Sequence, residues 1–321
     1  MTMSEARDET VTFYSGGLRL VATLHLPGNP NPPVLVHGPG WLETRCSAIS
    51  EGYHQGFIAA GFAVLNFDGR GFGDSEGERG WVRPFDQVED ILAAVAYART
   101  RDDLGAIGLY GVGATGGGNA IYAAAADTHV RCVVAQTVVT DGPEWLRHMR
   151  REHEWVEFQA RVDANRLRRV LDNSDEMIEP REEIMIATPE RKASGARKGD
   201  DVKVGGDFHL SMAEQLMRYR PIDAIDRIAP RAVLLTCVEN DDVTPDSHAM
   251  AMYERAGSPK KLIRQLGVPH YASYNRNRDL LVGEFVDWYR RFLLAAPARA
   301  EIHSSELETQ TIDQEGQAPG A

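Results

Sequence analysis

Two stretches of the chain alternate short apolar runs with segments of helical period. Thr10 to Leu26 reads as two strands joined at Gly16-Gly17, a hairpin signal. Pro27 to Pro33 is rich in proline and asparagine and reads as a loop. Val34-Leu35-Val36 is a short buried strand ending at His37-Gly38, and Ile49 to Ala60 suits a helix. Ala63 to Phe67 is a further buried strand, followed by a glycine-rich turn. Phe85 to Thr100 sets Val88, Ile91, Leu92 and Val95 at helical spacing. Ile107 to Tyr110 predicts a strand, Asn119 to Ala126 an alanine-rich helix, and Val130 to Val134 the next strand. This alternation predicts an α/β fold with a doubly wound, mostly parallel sheet.

Between Pro143 and Asp223 the alternation breaks and no strong strand is legible. Trp155, Phe158, Val162, Leu167, Val170 and Leu171 follow helical spacing, with arginines on the other side. Glu190 to Gly206 reads as a loop, and Ser211 to Tyr219 as a helix that stops before Pro221. Residues 143–223 are therefore expected as a helical cap inserted into a core made of residues 1–142 and 224–297. The core resumes with a strand at Ala232 to Val238, a helix near Ser247 to Ala256, a strand at Lys261 to Gln265 and a helix from Asp279 to Leu294. The polar tail, 298–321, is expected to be disordered.

Charge and cysteine content narrow the partners. The 321 residues carry 35 Lys and Arg against 47 Asp and Glu, a net charge of −12. That balance argues against nonspecific binding to nucleic acid or to an anionic membrane. The N-terminus lacks the basic start and apolar run of a signal peptide, and no apolar run approaches a membrane span, so a cytoplasmic location is expected. Cys46, Cys132 and Cys237 have no metal-binding or disulfide spacing. His148, His153 and Glu154 invite a metal reading, but the i, i+5 spacing of the two histidines puts them on different helix faces, and no metal or organic cofactor is expected. A small-molecule substrate is expected, and homodimerisation through the cap or the terminal helix is left open.

The chemistry gathers in five segments. Gly111-Val112-Gly113-Ala114-Thr115-Gly116 follows a strand and opens a helix, the layout of a G-x-S-x-G nucleophile elbow with glycine at the serine position. His37-Gly38 ends a strand, and Asp68-Gly-Arg-Gly-Phe-Gly-Asp-Ser75 follows another. Glu239-Asn-Asp-Asp-Val-Thr-Pro245 follows the strand after the cap, and His270 comes later still. In this order the segments resemble the dienelactone-hydrolase and S15-peptidase-like branch of the α/β-hydrolase superfamily. The resemblance implies a catalytic acid at Asp241, with Asp242 and Asp141 as alternatives, and a catalytic histidine at His270.

Two positions depart from that pattern. Gly113 has no side chain with which to form an acyl-enzyme. Pro39 follows His37-Gly38 where relatives give a backbone N–H to the oxyanion hole, and proline has none. Ala114 N–H remains as a donor, with Gly40 or Trp41 able to supply another. Thr115 and Cys46 are weaker candidates for the attacking atom. Glu43, Arg45 and Trp81 are candidates for the pocket mouth, and the cap arginines for attracting an anion. The residues thus suggest a hydrolase-type enzyme that turns an Asp241–His270 dyad on water to cleave an ester, a lactone or an activated C–C bond. A lyase, cyclase, decarboxylase or acyl transferase on the same fold, or a ligand-binding homologue without activity, are the competing readings.

Overall fold

A computed structural model of the chain describes residues 5–186, 188, 189, 192, 206–294 and 305–308. Strands β1 (Arg7–Ser15) and β2 (Leu18–Leu26) form the expected hairpin. β3 (Val34–Gly38), β4 (Ala63–Phe67), β5 (Ile107–Val112), β6 (Val130–Gln136), β9 (Ala232–Val238) and β10 (Lys260–Leu266) complete the central sheet. The strand order is β1-β2-β4-β3-β5-β6-β9-β10-β11, where β11 is Ser305–Glu308. β2 runs antiparallel to both its neighbours, and the other pairs are parallel. A strand thus forms inside a tail whose polar composition predicts disorder, because β10 offers Ile263 to Leu266 an unpaired edge. The rest of 298–321 lies outside the described residues.

Helices cover both faces of the sheet, which explains why β3, β4, β5 and β9 are buried throughout and mostly apolar instead of alternating. On one side α2 (Pro84–Arg99), α3 (Gly113–Ala126) and α8 (Asp246–Arg255) bury Ile91, Val95, Ile121 and Met252 against Val36, Leu65, Leu109 and Leu235. On the other, α1 (Ala48–Ala59) and α10 (Arg278–Tyr289) bury Tyr53, Phe57, Phe285 and Tyr289 against Val64, Tyr110 and Val134. A third apolar cluster lies across the carboxyl ends of the strands. There Trp145, Phe158, Phe208 and Leu216 meet Trp41, Ala114 and Val243.

Residues 143–223 contain most of α4 (Gly142–His148), then α5 (Glu152–Asp172), α6 (Pro180–Glu183) and α7 (Met212–Leu216). The two-residue strands β7 (Met177–Ile178) and β8 (Phe208–His209) pair antiparallel there, too short to leave a periodic signal. The loop expected at 190–206 lies almost wholly outside the described residues. Two expectations about α5 need correction. Trp155, Phe158 and Val162 are buried, but Leu167, Val170 and Leu171 are exposed, because the C-terminal part of this 21-residue helix runs past the surface it packs on. The arginines are not a free anion-attracting face either. Arg161 pairs with Glu176 and Glu183 at 2.5 and 2.6 Å, Arg168 pairs with Glu176, and Arg169 with Glu214. The half-buried Arg150 donates to the carbonyls of Leu146 and Glu183.

Candidate active site

Parallel pairing brings four strand-end segments together. His37 is registered with Tyr110 and Gly38 with Gly111, so the loop after β3 meets the turn after β5. Gln136 is registered with Thr236, which sets the loops after β6 and β9 side by side. Such carboxyl-end crevices are where open α/β sheets place ligands.

Gly113 forms the turn between β5 and α3, with φ of +75°. That region costs an L-residue roughly 1–2 kcal/mol and costs glycine little. A Cβ built there meets no atom within 4 Å, so the space above the turn is open. The sequence places the helix start at Asn119, whereas α3 begins at Gly113 and runs through Gly116, Gly117 and Gly118. Helix-interior glycine costs about 1 kcal/mol each. At Gly118 close packing requires it, since a Cβ would overlap the Tyr219 hydroxyl and the ring of Pro221.

Asp241 and His270 form a buried pair, with His270 Nδ1 2.6 Å from Asp241 Oδ2. Asp241 also accepts from Val243 N–H (2.7 Å), Thr244 N–H (3.0 Å) and the Thr244 hydroxyl (2.9 Å). Burial pushes its carboxyl up, but the nearby His270 and these N–H donors outweigh that and leave it below the usual carboxylate value. The alternatives lie elsewhere: Asp242 is exposed, and Asp141 caps α4 through Glu144 N–H and pairs with Arg220. His270 opens the helix α9 (His270–Arg276) where the sequence suggests a turn.

One partner of the histidine escapes sequence reading. The Tyr274 hydroxyl lies 3.3 Å from His270 Nε2 and 2.6 Å from Thr137 Oγ1. Thr137 is itself held at φ of +51°, an outlier for a β-branched residue, and this aims its hydroxyl at the phenol. The i, i+4 spacing of His270 and Tyr274 on one helix face was the available signal.

A cavity of about 40 Å³ is lined by Gly113, Ala114, Trp41, Glu43, His270 and Tyr274, among others. On its wall Glu43 Oε2 accepts the Gly40 N–H at 3.0 Å, and Glu43 Oε1 accepts the Ser50 hydroxyl. Gly40 N–H is therefore already engaged, and Pro39 has none to give. Gly113 and Ala114 open α3, where backbone N–H groups have no intrahelical acceptor. Trp41 contributes a buried indole N–H with no partner among the described residues.

Other candidates are placed outside the cavity. Cys46 is exposed. Arg45 is tied to Asp68 and Asp74, so it supports the Asp68–Ser75 turn. Arg70 of the same turn donates to the fully buried Asp90 on α2. Thr115 is buried inside α3, and Trp81 lines a separate surface hollow with Arg83 and Gln87.

Comparison with known proteins agrees with this architecture. Residues 16–265 match the X-Pro dipeptidyl-peptidase (S15 family). An uncharacterized 31.7 kDa protein of the traX-finO intergenic region of Escherichia coli is 29% identical over 267 residues, covering 79% of this chain and 89% of that one. The thiohydrolase aneE of Aspergillus aculeatus is 26% identical over 267 residues, covering 77% and 80%. The crystal structure of the α/β hydrolase GrgF from Penicillium sp. sh18 superposes with a TM-score of 0.73 at 22% identity, covering 90% of this chain and all of that one. With a match over most of its length and this sheet beneath it, the chain belongs to the S15 family of the α/β-hydrolase superfamily and is an enzyme of the hydrolase type.

Proposed function

We propose that the protein hydrolyses a small carbonyl substrate with water, not serine, as the nucleophile. The observation that carries this reading is the buried Asp241–His270 pair opening onto the unfilled space over Gly113. Asp241 fixes the imidazole with its proton on Nδ1, leaving Nε2 as a base. Nε2 takes a proton from a water resting over Gly113, and the water oxygen attacks the carbonyl carbon. The imidazolium then returns that proton to the leaving group. General-base assistance of this kind contributes roughly 10²–10⁴ in rate. Ala114 N–H, at the positive end of α3, supports the oxyanion. At about 40 Å³ the cavity has room for a few water-sized groups, which favours a small substrate, and the classes proposed are esters, lactones and activated C–C bonds. The name of the Aspergillus relative adds thioesters to the set worth assaying.

The test is turnover of the unaltered protein on a panel of esters, thioesters and lactones in ¹⁸O-water, with His270→Ala as control. The expected result is turnover, loss of it in the variant, and one labelled oxygen in the acid product. Turnover that survives His270→Ala overturns the reading. A lyase or transferase reading has one observation in its favour, the thin oxyanion support left by Pro39 and by the engaged Gly40 N–H. Product without label selects it.

A further inference from the structure

A water nucleophile brings two protons to the reaction where a serine brings one. On hydrolysis of an ester, one proton leaves with the alcohol and the second must leave the carboxylic acid product. In the reading above His270 handles the first, and the second needs another acceptor.

Glu43 lies on the wall of the same cavity as Gly113 and His270, with its side chain only 11% exposed. Its carboxylate stands where the family pattern calls for oxyanion donors, and a negative charge there cannot stabilise an oxyanion. It can accept a hydrogen from water. Behind it, His37 Nε2 lies 3.9 Å from Glu43 Oε2, is buried, and has no hydrogen-bond partner among the described residues. His37 Nδ1 is 2.8 Å from His54 Nε2, which is also buried. With the shared proton on His37 Nδ1, His37 Nε2 carries a free lone pair facing Glu43. The file continues outward: the rings of His54 and His25 are 6.3 Å apart, and His25 Nδ1 is 2.7 Å from the exposed Asp8.

We propose that Glu43 is a second catalytic base, which holds the attacking water by its other hydrogen and takes that proton from the product, and that His37 and His54 are positioning residues forming its relay toward the surface. This rests on the water-dyad reading. The balance closes: water and ester give alcohol, carboxylate and one proton. His270 moves the first proton from water to the alkoxide as the C–O bond breaks. Glu43 takes the second from the new carboxylic acid and passes it to His37 Nε2, while His37 Nδ1–H passes to His54. Burial disfavours charge on both histidines, and the carboxylate partly restores it on His37, so neither traps the proton. The titratable groups facing this file are His25 from β2, Tyr110 from β5, and His270, Tyr271 and Tyr274 from α9.

The test uses the full chain with p-nitrophenyl acetate as probe, and ¹⁵N-histidine NMR as a readout independent of turnover. Glu43→Gln keeps an acceptor for Gly40 N–H, so the loop should hold. It is expected to lower kcat by about 10²-fold with little change in KM, and to turn a two-proton acid limb of the pH profile into a one-proton limb. His37→Asn is expected to move the Glu43 limb without removing it. In NMR, Glu43→Gln should move the pH response of His37 Nε2 to lower pH, because the carboxylate that partly offsets burial is gone. An unchanged kcat or an unchanged His37 response in Glu43→Gln overturns the proposal. An indifferent His270→Ala instead overturns the water-dyad reading, so the two failures are distinct.

Discussion

Tyr274 presents its hydroxyl 3.3 Å from His270 Nε2, one helical turn along α9, and hands it on to Thr137 at 2.6 Å. Both hydroxyls can reverse their direction. With no water at Nε2 and His270 neutral, Thr137 donates to Tyr274 and Tyr274 donates to Nε2, a bond that the attacking water replaces before Nε2 acts as base. When Nε2 is protonated it donates to the phenol oxygen, Tyr274 donates to Thr137, and Thr137 donates to the Gln136 carbonyl 2.8 Å away. The pair thus accommodates the imidazole in either state, a task that a serine Oγ shares in a complete triad.

Tyr274→Phe removes this partner and leaves the ring held through Nδ1 alone. A hydrogen bond to a charged group contributes about 1.5–3 kcal/mol, so kcat should fall roughly tenfold to a hundredfold with KM little changed. Steady-state kinetics on any substrate that responds to His270→Ala checks this. A changed KM with constant kcat would assign Tyr274 to substrate binding instead.

Gly113 is open above and strained for other residues, which separates space from backbone energy. Gly113→Ala should cost about 1–2 kcal/mol through its positive φ alone, read by urea denaturation. Gly113→Ser should pay the same cost and gain covalent labelling by a fluorophosphonate probe. The labelling should vanish in Gly113→Ser/His270→Ala. Failure of the serine variant to label would show that the dyad does not face the turn.

Much of this arrangement could be read from the chain because parallel strands buried on both faces leave dense apolar runs, and the loops after them carry the chemistry. Asp241 and His270 were legible for that reason. Glu43 was visible only as a residue near the pocket mouth, since the fold of the Pro39–Glu43 loop, which turns its carboxylate onto Gly40 N–H, has no periodic signature. Tyr274 and Thr137 were missed because their meeting depends on a strand end and a helix that are 137 positions apart. In α5 the apolar spacing continues through Leu171, but what packs against it does not, so periodicity overstated the buried face.

Asp241 links the site to stability. Its carboxyl is held below the ordinary value, so its ionised form stabilises the fold. That contribution is complete above the unfolded value, about pH 4, and is lost as pH falls through the lower folded value. Asp241→Asn should therefore be less stable than the unaltered protein by about 1–3 kcal/mol near neutrality. The gap should narrow as pH drops below about 4. Urea midpoints at several pH values measure it, and a gap that widens in acid would contradict the assignment.

The cap and the Gly40 loop are joined by a short run of buried polar groups. The Tyr219 hydroxyl lies 3.0 Å from both the Thr115 carbonyl and Asn119 Oδ1. Asn119 donates to Gln87 Oε1 at 2.9 Å, and Gln87 Nε2 reaches the Gly40 carbonyl at 3.5 Å. Gly118 makes room for the phenol at the head of this run. Tyr219→Phe keeps the packing and should cost about 1 kcal/mol. Gly118→Ala forces the ring away and should cost about 1–3 kcal/mol as overpacking, despite alanine being the better helix former. Because the run ends on the loop that carries Glu43, Gly118→Ala should also lower kcat, whereas the same substitution at Gly283, where a Cβ meets open space and which does not line the cavity, should leave kcat unaltered. Denaturation and kinetics on the two variants decide whether the cap anchor and the reaction pocket are mechanically connected.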